Sequence, residues 1–183
     1  RRDVNTRVYD ILRRRAKLDW WIERTGLGLE AAARSRAIAH LILQERAQPD
    51  DFSQMFSGAR HCPEELTAKE SALADALYGR PILNKDMPDH VRLEYPEWMD
   101  RSFRALWSAG LEREMSALNQ PAPLDLRVNT IKATPEDALA RLQADYVTCA
   151  PTALSPLGIR VDGKVRLGGT RAFKEGLVDV QDE

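Results

Sequence analysis

The stretch LDLRVNTIKATPEDALARL, residues 124–142, constrains the chain most. Its first half alternates, with Leu124, Leu126 and Val128 apolar and Asp125, Arg127 and Asn129 polar. Side chains leave a strand on alternate faces, so the pattern predicts a short strand with the apolar three inward and the polar three on an open face. The second half changes period. Thr134 suits a helix cap, Pro135 the first helical position, and Glu136 and Asp137 the positive end of the dipole. A helix over 135–143 follows. DYVTC then predicts a returning strand, and LGIRVDGKVRL a hairpin about Asp162-Gly163. A three-residue loop there would oppose Val165 to Ile159 or Val161 and group Arg160, Lys164 and Arg166 away from them. Gly168-Gly169-Thr170 reads as a turn.

Upstream of Pro121 the pattern is helical. Val4, Val8, Ile11 and Leu12 form an apolar stripe, followed by Arg13, Arg14, Arg15 and Lys17 where cations favour a helix end. Leu18, Trp20, Trp21 and Ile22 continue to a stop at Thr25-Gly26. Residues 29–46 favour helix by composition, and Thr67-Ala68-Lys69-Glu70 is a capping box. Between 78 and 96 the chain is loop-rich, with Pro81, Pro88 and Pro96. Beyond it Trp98, Met99, Phe103, Leu106 and Trp107 are placed on one helical face, Gly110 breaks the helix, and Leu111, Met115 and Leu118 resume it. All four tryptophans are expected in the core. The division expected is a helical domain over 1–88, then a helical linker and small α/β module over 89–183. The class is α+β.

Function classes narrow quickly. Glycine-rich phosphate loops and acid pairs are absent, and no run of about 18 apolar residues is present to span a membrane. Cys62 and Cys149 stand 87 positions apart without ligand-spaced partners, so no metal site is expected. The total charge of −1 conceals an imbalance: residues 1–46 hold 11 Lys/Arg against 6 Asp/Glu, and residues 47–100 hold 5 against 11. A basic N-terminal region would meet an anionic partner. On the α/β module Arg127, Asn129, Lys132, Arg160, Lys164, Arg166, Arg171 and Lys174 interleave cations with polar groups, as single-stranded RNA readers do. Tyr146 and Phe173 are the module's aromatics, both compatible with a core. With no initiator Met and a finish in mid-pattern at VDVQDE, the sequence reads as part of a longer chain.

EYPEWM, then NQPAPLDLRVNTIKAT, then LSPLGIRV, then AFKEGLVDVQDE together resemble the Sun/Fmu (RsmB-like) family of SAM-dependent RNA cytosine-C5 methyltransferases over about residues 93–183. RVYDILRRR resembles, more loosely, a shortened NusB-like helical RNA-binding domain. The resemblance implies a NusB-like domain followed by an RRM-like module. The candidate RNA contacts are Arg13, Arg14, Arg15, Lys17, Arg127, Asn129, Lys132, Arg160 and Arg166, and for Arg127 and Asn129 the resemblance implies either lining the RNA or bracing a junction with a methyltransferase domain. Ribosomal RNA, that C-terminal domain and a cytoplasmic setting are the implied partners and place. S-adenosylmethionine is implied for the full-length parent and not for this stretch. The family's glycine-rich SAM loop and two Pro-Cys motifs have no match here, so neither Cys62 nor Cys149 carries over as catalytic. The rival expectation is a protein–protein adaptor or a stand-alone RNA-binding protein.

Overall fold

The computed structural model describes residues 2–182. Contacts divide the chain into two compact units, Arg1–Gln120 and Pro121–Glu183. The first unit is helical: α1 Arg2–Arg13, α2 Arg15–Arg24, α3 Ala33–Leu43, α4 Pro49–Met55, α5 Ala68–Leu77, α6 Asp89–Arg92, α7 Asp100–Trp107 and α8 Leu111–Leu118. Leu18, Trp21 and Ile22 share one face of α2 and pack with Ile38, Ala39 and Ile42 of α3 and Leu73 and Leu77 of α5. Burial of each large side chain stabilises by about 1.5–3 kcal/mol. Trp21 Nε1 donates to the Ile82 carbonyl at 2.9 Å, satisfying the one polar atom of its ring. The capping box forms as expected: Glu70 N donates to Thr67 Oγ1 at 3.3 Å, and Thr67 N to Glu70 Oε2 at 2.8 Å. Gly26, at φ 66°, follows the stop of α2.

Of the α1 stripe, Val4, Val8 and Leu12 are exposed and only Ile11 packs against the core. One expectation fails in this unit: Trp98 is 79% exposed, and Leu106 is exposed too. Met99, Phe103 and Trp107, four apart, pack with Leu93, Tyr95, Leu111 and Met115, which leaves Trp98 and Leu106 on other faces of the turn. The expected break forms: α7 yields at Ser108, which adopts φ 46°, and α8 begins at Leu111, directly after Gly110.

The second unit runs β1 Leu124–Val128, α9 Pro135–Ala144, β2 Cys149–Pro151, β3 Gly158–Val161, α10 Arg171–Lys174 and β4 Val178–Val180. The strand order is β2-β3-β1-β4, every neighbouring pair antiparallel. This is the β-α-β-β-α-β arrangement of a ferredoxin-like fold, the architecture RRM-type modules share. Leu126, Val128, Ile159, Val161 and Val178 join Ala138 and Leu142 of α9 and Ala172 of α10 in one core, so both helices cover one face. Thr134 caps α9 by accepting from Asp137 N at 3.2 Å, with Pro135 at the first position. The expected hairpin about Asp162-Gly163 does not form. β3 already has β2 on one edge and β1 on the other, so no edge remains for a returning strand, and the chain proceeds through a 3-10 turn at Leu167–Gly169 into α10. Gly158 permits a close approach: a Cβ there would land on the Thr152 hydroxyl.

Candidate nucleic-acid interface

On the uncovered face of the sheet the register sets Asp125 opposite Arg160, and Arg127 between Gly158 and Asp179. Asp125 is not open as its place in the alternation predicts. Its side chain is 3% exposed because Arg160 lies over it in a two-pronged pair, at 2.8 and 2.7 Å. A buried carboxylate needs such a partner, so Arg160 is first a structural cation, although part of its guanidinium still meets solvent. Arg127 differs. It is exposed, its neighbour on β3 has no side chain, and its polar contact is a long 3.4 Å donation to Gln181 Oε1.

Asn129 and Lys132 stabilise the turn that follows β1. Asn129 Nδ2 donates to the Gly176 carbonyl at 3.1 Å, and its Oδ1 accepts from Ile131 N at 3.2 Å. Lys132 Nζ donates to the Glu175 carbonyl at 2.8 Å. Arg166 lies off the sheet, exposed on the segment before α10, where it borders a cleft with Tyr146 and Arg171. The structure therefore does not gather the five residues of this unit on one surface. Tyr146, compatible with a core in sequence, is 98% exposed. The sheet's open face carries no aromatic side chain among the described strand residues.

In the helical unit Arg13 and Arg14 share Asp10, at 3.8 and 3.3 Å, and Arg15 is 3.6 Å from Asp19. These pairs are part-exposed and leave the cations available to a competing anion. Lys17 is separate. Its ammonium is 3.3 Å from Glu94, and both side chains are largely buried. Glu94 was not a sequence candidate, yet it organises this corner. Its two carboxylate oxygens accept from the backbone amides of Ala16 at 2.9 Å and Lys17 at 3.1 Å, capping α2 from 78 residues away. Burial pushes the Glu94 carboxyl above its ordinary range, against the opposing pull of Lys17 and the two amides. The signal missed was positional: Glu94 opens EYPEWM at φ 61°, a conformation costly for Glu unless its surroundings impose it.

No group of three His, Cys, Asp or Glu among the described residues is placed to hold a metal ion, and none of their helices is long and apolar enough to cross a membrane. The nucleotide crevice of doubly wound sheets lies at the ends of parallel strands after a glycine-rich turn. The three strand pairs here are antiparallel, and Gly168-Gly169 lies in a 3-10 turn rather than at a strand end, so the described residues form no crevice of that kind. Cys62 is exposed and Cys149 buried; burial raises the Cys149 thiol.

Residues 95–167 match the family model described as the ferredoxin-like domain of RsmF/B-like methyltransferases. That stretch is similar to the RsmF/B-like domain. Over 88 residues it is 33% identical to ribosomal RNA small subunit methyltransferase B of Xylella fastidiosa, covering 48% of this chain and 20% of that protein. Over 93 residues it is 31% identical to the protein of the same name from Pseudomonas putida, covering 51% and 21%. The match thus spans about a fifth of the curated relatives' length. The solved structure of PH0851 aligns over 100% of this chain and 44% of its own, with a TM-score of 0.70 and 21% identity, a likeness of fold. The RsmF/B-like match begins at Tyr95 in the helical unit and runs through β1, α9, β2 and β3.

Proposed function

We propose that the chain is the RNA-recognition part of a SAM-dependent ribosomal RNA cytosine-C5 methyltransferase, methyl transfer being the work of a further domain of the same protein. The observation that supports it best is Arg127. It stands on the open face of the RsmF/B-like sheet beside a residue without a side chain, accessible to a phosphate from above. In this reading Arg160 adds a partly shielded cation on the same face, while Asn129 and Lys132 hold the turn that sets the strand. The helical unit is a NusB-like RNA-binding domain whose Arg13, Arg14 and Arg15 meet phosphates, with Lys17 bracing α2 beneath them. S-adenosylmethionine supplies the methyl group in the catalytic domain. A base methylated at C5 must leave its stack, so the chain's task is to grip the RNA on either side. Work on ribosomal RNA places the protein in the cytoplasm.

The test is the salt dependence of binding to ribosomal RNA fragments. Phosphate contacts release counterions, so the logarithm of the binding constant should fall linearly with that of salt, by roughly 0.7 per phosphate for single strands. An affinity unchanged between low and moderate salt rules out phosphate recognition. A protein-docking reading draws on the exposed Val4, Val8 and Leu12 of α1. Charge reversal at Arg13, Arg14 and Arg15 separates the two: loss of RNA binding in a folded chain supports the first, and loss of a protein partner alone supports the second.

A further inference from the structure

We infer that Tyr146, with Arg166 and Arg171 across the adjoining cleft, forms a stacking site for one nucleotide of single-stranded RNA, separate from the open face of the sheet. The inference rests on the RNA-recognition reading above and gives it a second contact point.

The argument starts from how α9 ends. Val147 N donates to the Leu142 carbonyl at 3.0 Å, and Tyr146 N to the Gln143 carbonyl at 3.0 Å. These two bonds, with buried Val147 packed in the same core as Leu142, define a Schellman termination. Its first residue past the cap takes the left-handed conformation, and Tyr146 does so at φ 60°. Glycine is the residue that position favours, because any Cβ there crowds the backbone. Tyrosine is a strained choice, and it recovers nothing by packing, since it is 98% exposed. The folding of this unit gives no reason for a ring at that point. The ring's consequence is outward: an aromatic surface presented to solvent at a helix end.

The surroundings specify what would lie on it. A cleft of about 360 Å³ adjoins the ring, lined among others by Val147, Val165, Gly169, Arg166 and Arg171. That volume is within the range of small-molecule sites. The acid beside it is already engaged: Asp145 accepts from Arg171 N at 2.6 Å and from Arg171 Nε at 3.1 Å. Arg166 is exposed, and no ion pair engages it among the described residues. An aromatic face and an unneutralised guanidinium beside a mixed polar and apolar cleft suit a base with its phosphate, the combination by which single strands are held without sequence preference. An acidic peptide would use the arginine but not the ring's flat face.

Fluorescence anisotropy of the full chain with a labelled single-stranded oligoribonucleotide of about ten nucleotides, mixed in sequence, tests this. Tyr146→Gly is expected to weaken binding on the order of tenfold and to raise Tm by a few degrees, because it relieves the left-handed strain. Tyr146→Trp should keep the parent's affinity. Arg166→Ala should weaken binding and flatten its salt dependence. If Tyr146→Gly binds as the parent does while Arg127→Ala is weakened, the site at Tyr146 is wrong and the sheet-face reading stands. If the parent itself does not bind, both fall. A Tm lowered by Tyr146→Gly also overturns the proposal, since the ring would then be structural, as does a Tyr146→Gly chain that keeps RNA but loses a protein partner.

Discussion

Removal of the Glu94 carboxylate should be among the most damaging single changes in the helical unit. Glu94→Ala takes away the acceptor for the amides of Ala16 and Lys17, which sit in the first turn of α2. Loss of a helix cap costs about 0.5–2 kcal/mol. It also strips the ion partner from Lys17, whose side chain is only 13% exposed. Breaking a fully buried pair costs about 3–5 kcal/mol; a lysine stem that can swing its ammonium towards water reduces that share. The sum expected is about 2–4 kcal/mol, lowered from the full figures for that escape. All four tryptophans of the chain, at 20, 21, 98 and 107, lie in the helical unit. Urea unfolding followed by tryptophan fluorescence therefore reports this unit without interference from the sheet. Glu94→Gln should fall between parent and Ala, since its amide oxygen can still accept from one backbone amide. A Glu94→Ala midpoint within about 0.5 kcal/mol of the parent, the range of ordinary surface changes, would refute the capping argument. So would equal losses for Gln and Ala.

Arg127→Ala should leave thermal stability within about 0.5 kcal/mol and reduce the salt slope of RNA binding by roughly one phosphate, while Arg160→Ala should destabilise the sheet by about 2–4 kcal/mol because Asp125 stays buried without its partner; thermal melts and anisotropy on both variants check this. Gly158→Ala should cost about 1–3 kcal/mol by overpacking against Thr152, and Thr152→Ala in the same chain should restore part of the loss, a coupling read by a double-mutant cycle. His40, buried on α3 with Glu45, Arg14, Asp10 and Arg7 around it, has its pKa held below 6.5 by desolvation. The neutral ring is the folded form, so its contribution is present above 6.5 and lost as pH falls through the depressed value. Denaturant midpoints measured across that window should fall in the parent and fall less in His40→Leu.

Legibility in the sequence followed how local the physics is. The Thr67 and Thr134 caps, the stop at Thr25-Gly26 and the strand at Leu124–Val128 are each decided within a few residues, and each formed. The hairpin after Val161 was misread because β-pairing is not local: β3 was already satisfied on both edges by strands that no turn signal reveals. The stripe on α1 was legible as amphipathic, but three of its four residues stay exposed, since periodicity shows that a face exists and not what covers it. Asp125 followed its alternation, yet Arg160, 35 residues away, closed over it. Arg127 was accessible to pattern reasoning because the alternation within β1 alone puts it on the open face. Tyr146 was not, because its exposure follows from a helix termination whose usual signal is glycine.

The interlaced strand order also sets a timetable for synthesis. β1 is made early in its unit, yet its two sheet neighbours come later, with Arg160 35 positions beyond Asp125 and Gln181 54 beyond Arg127. Until Val178–Val180 has left the ribosome, one edge of β1 has no partner and the apolar face of α9 is incompletely covered. The helices α1 to α5, all made before Leu124, can settle well before that. For the nascent chain, the stretch from Leu124 onward is therefore the interval of greatest exposure to mispairing, and a pause in translation shortly after Val161 would lengthen it.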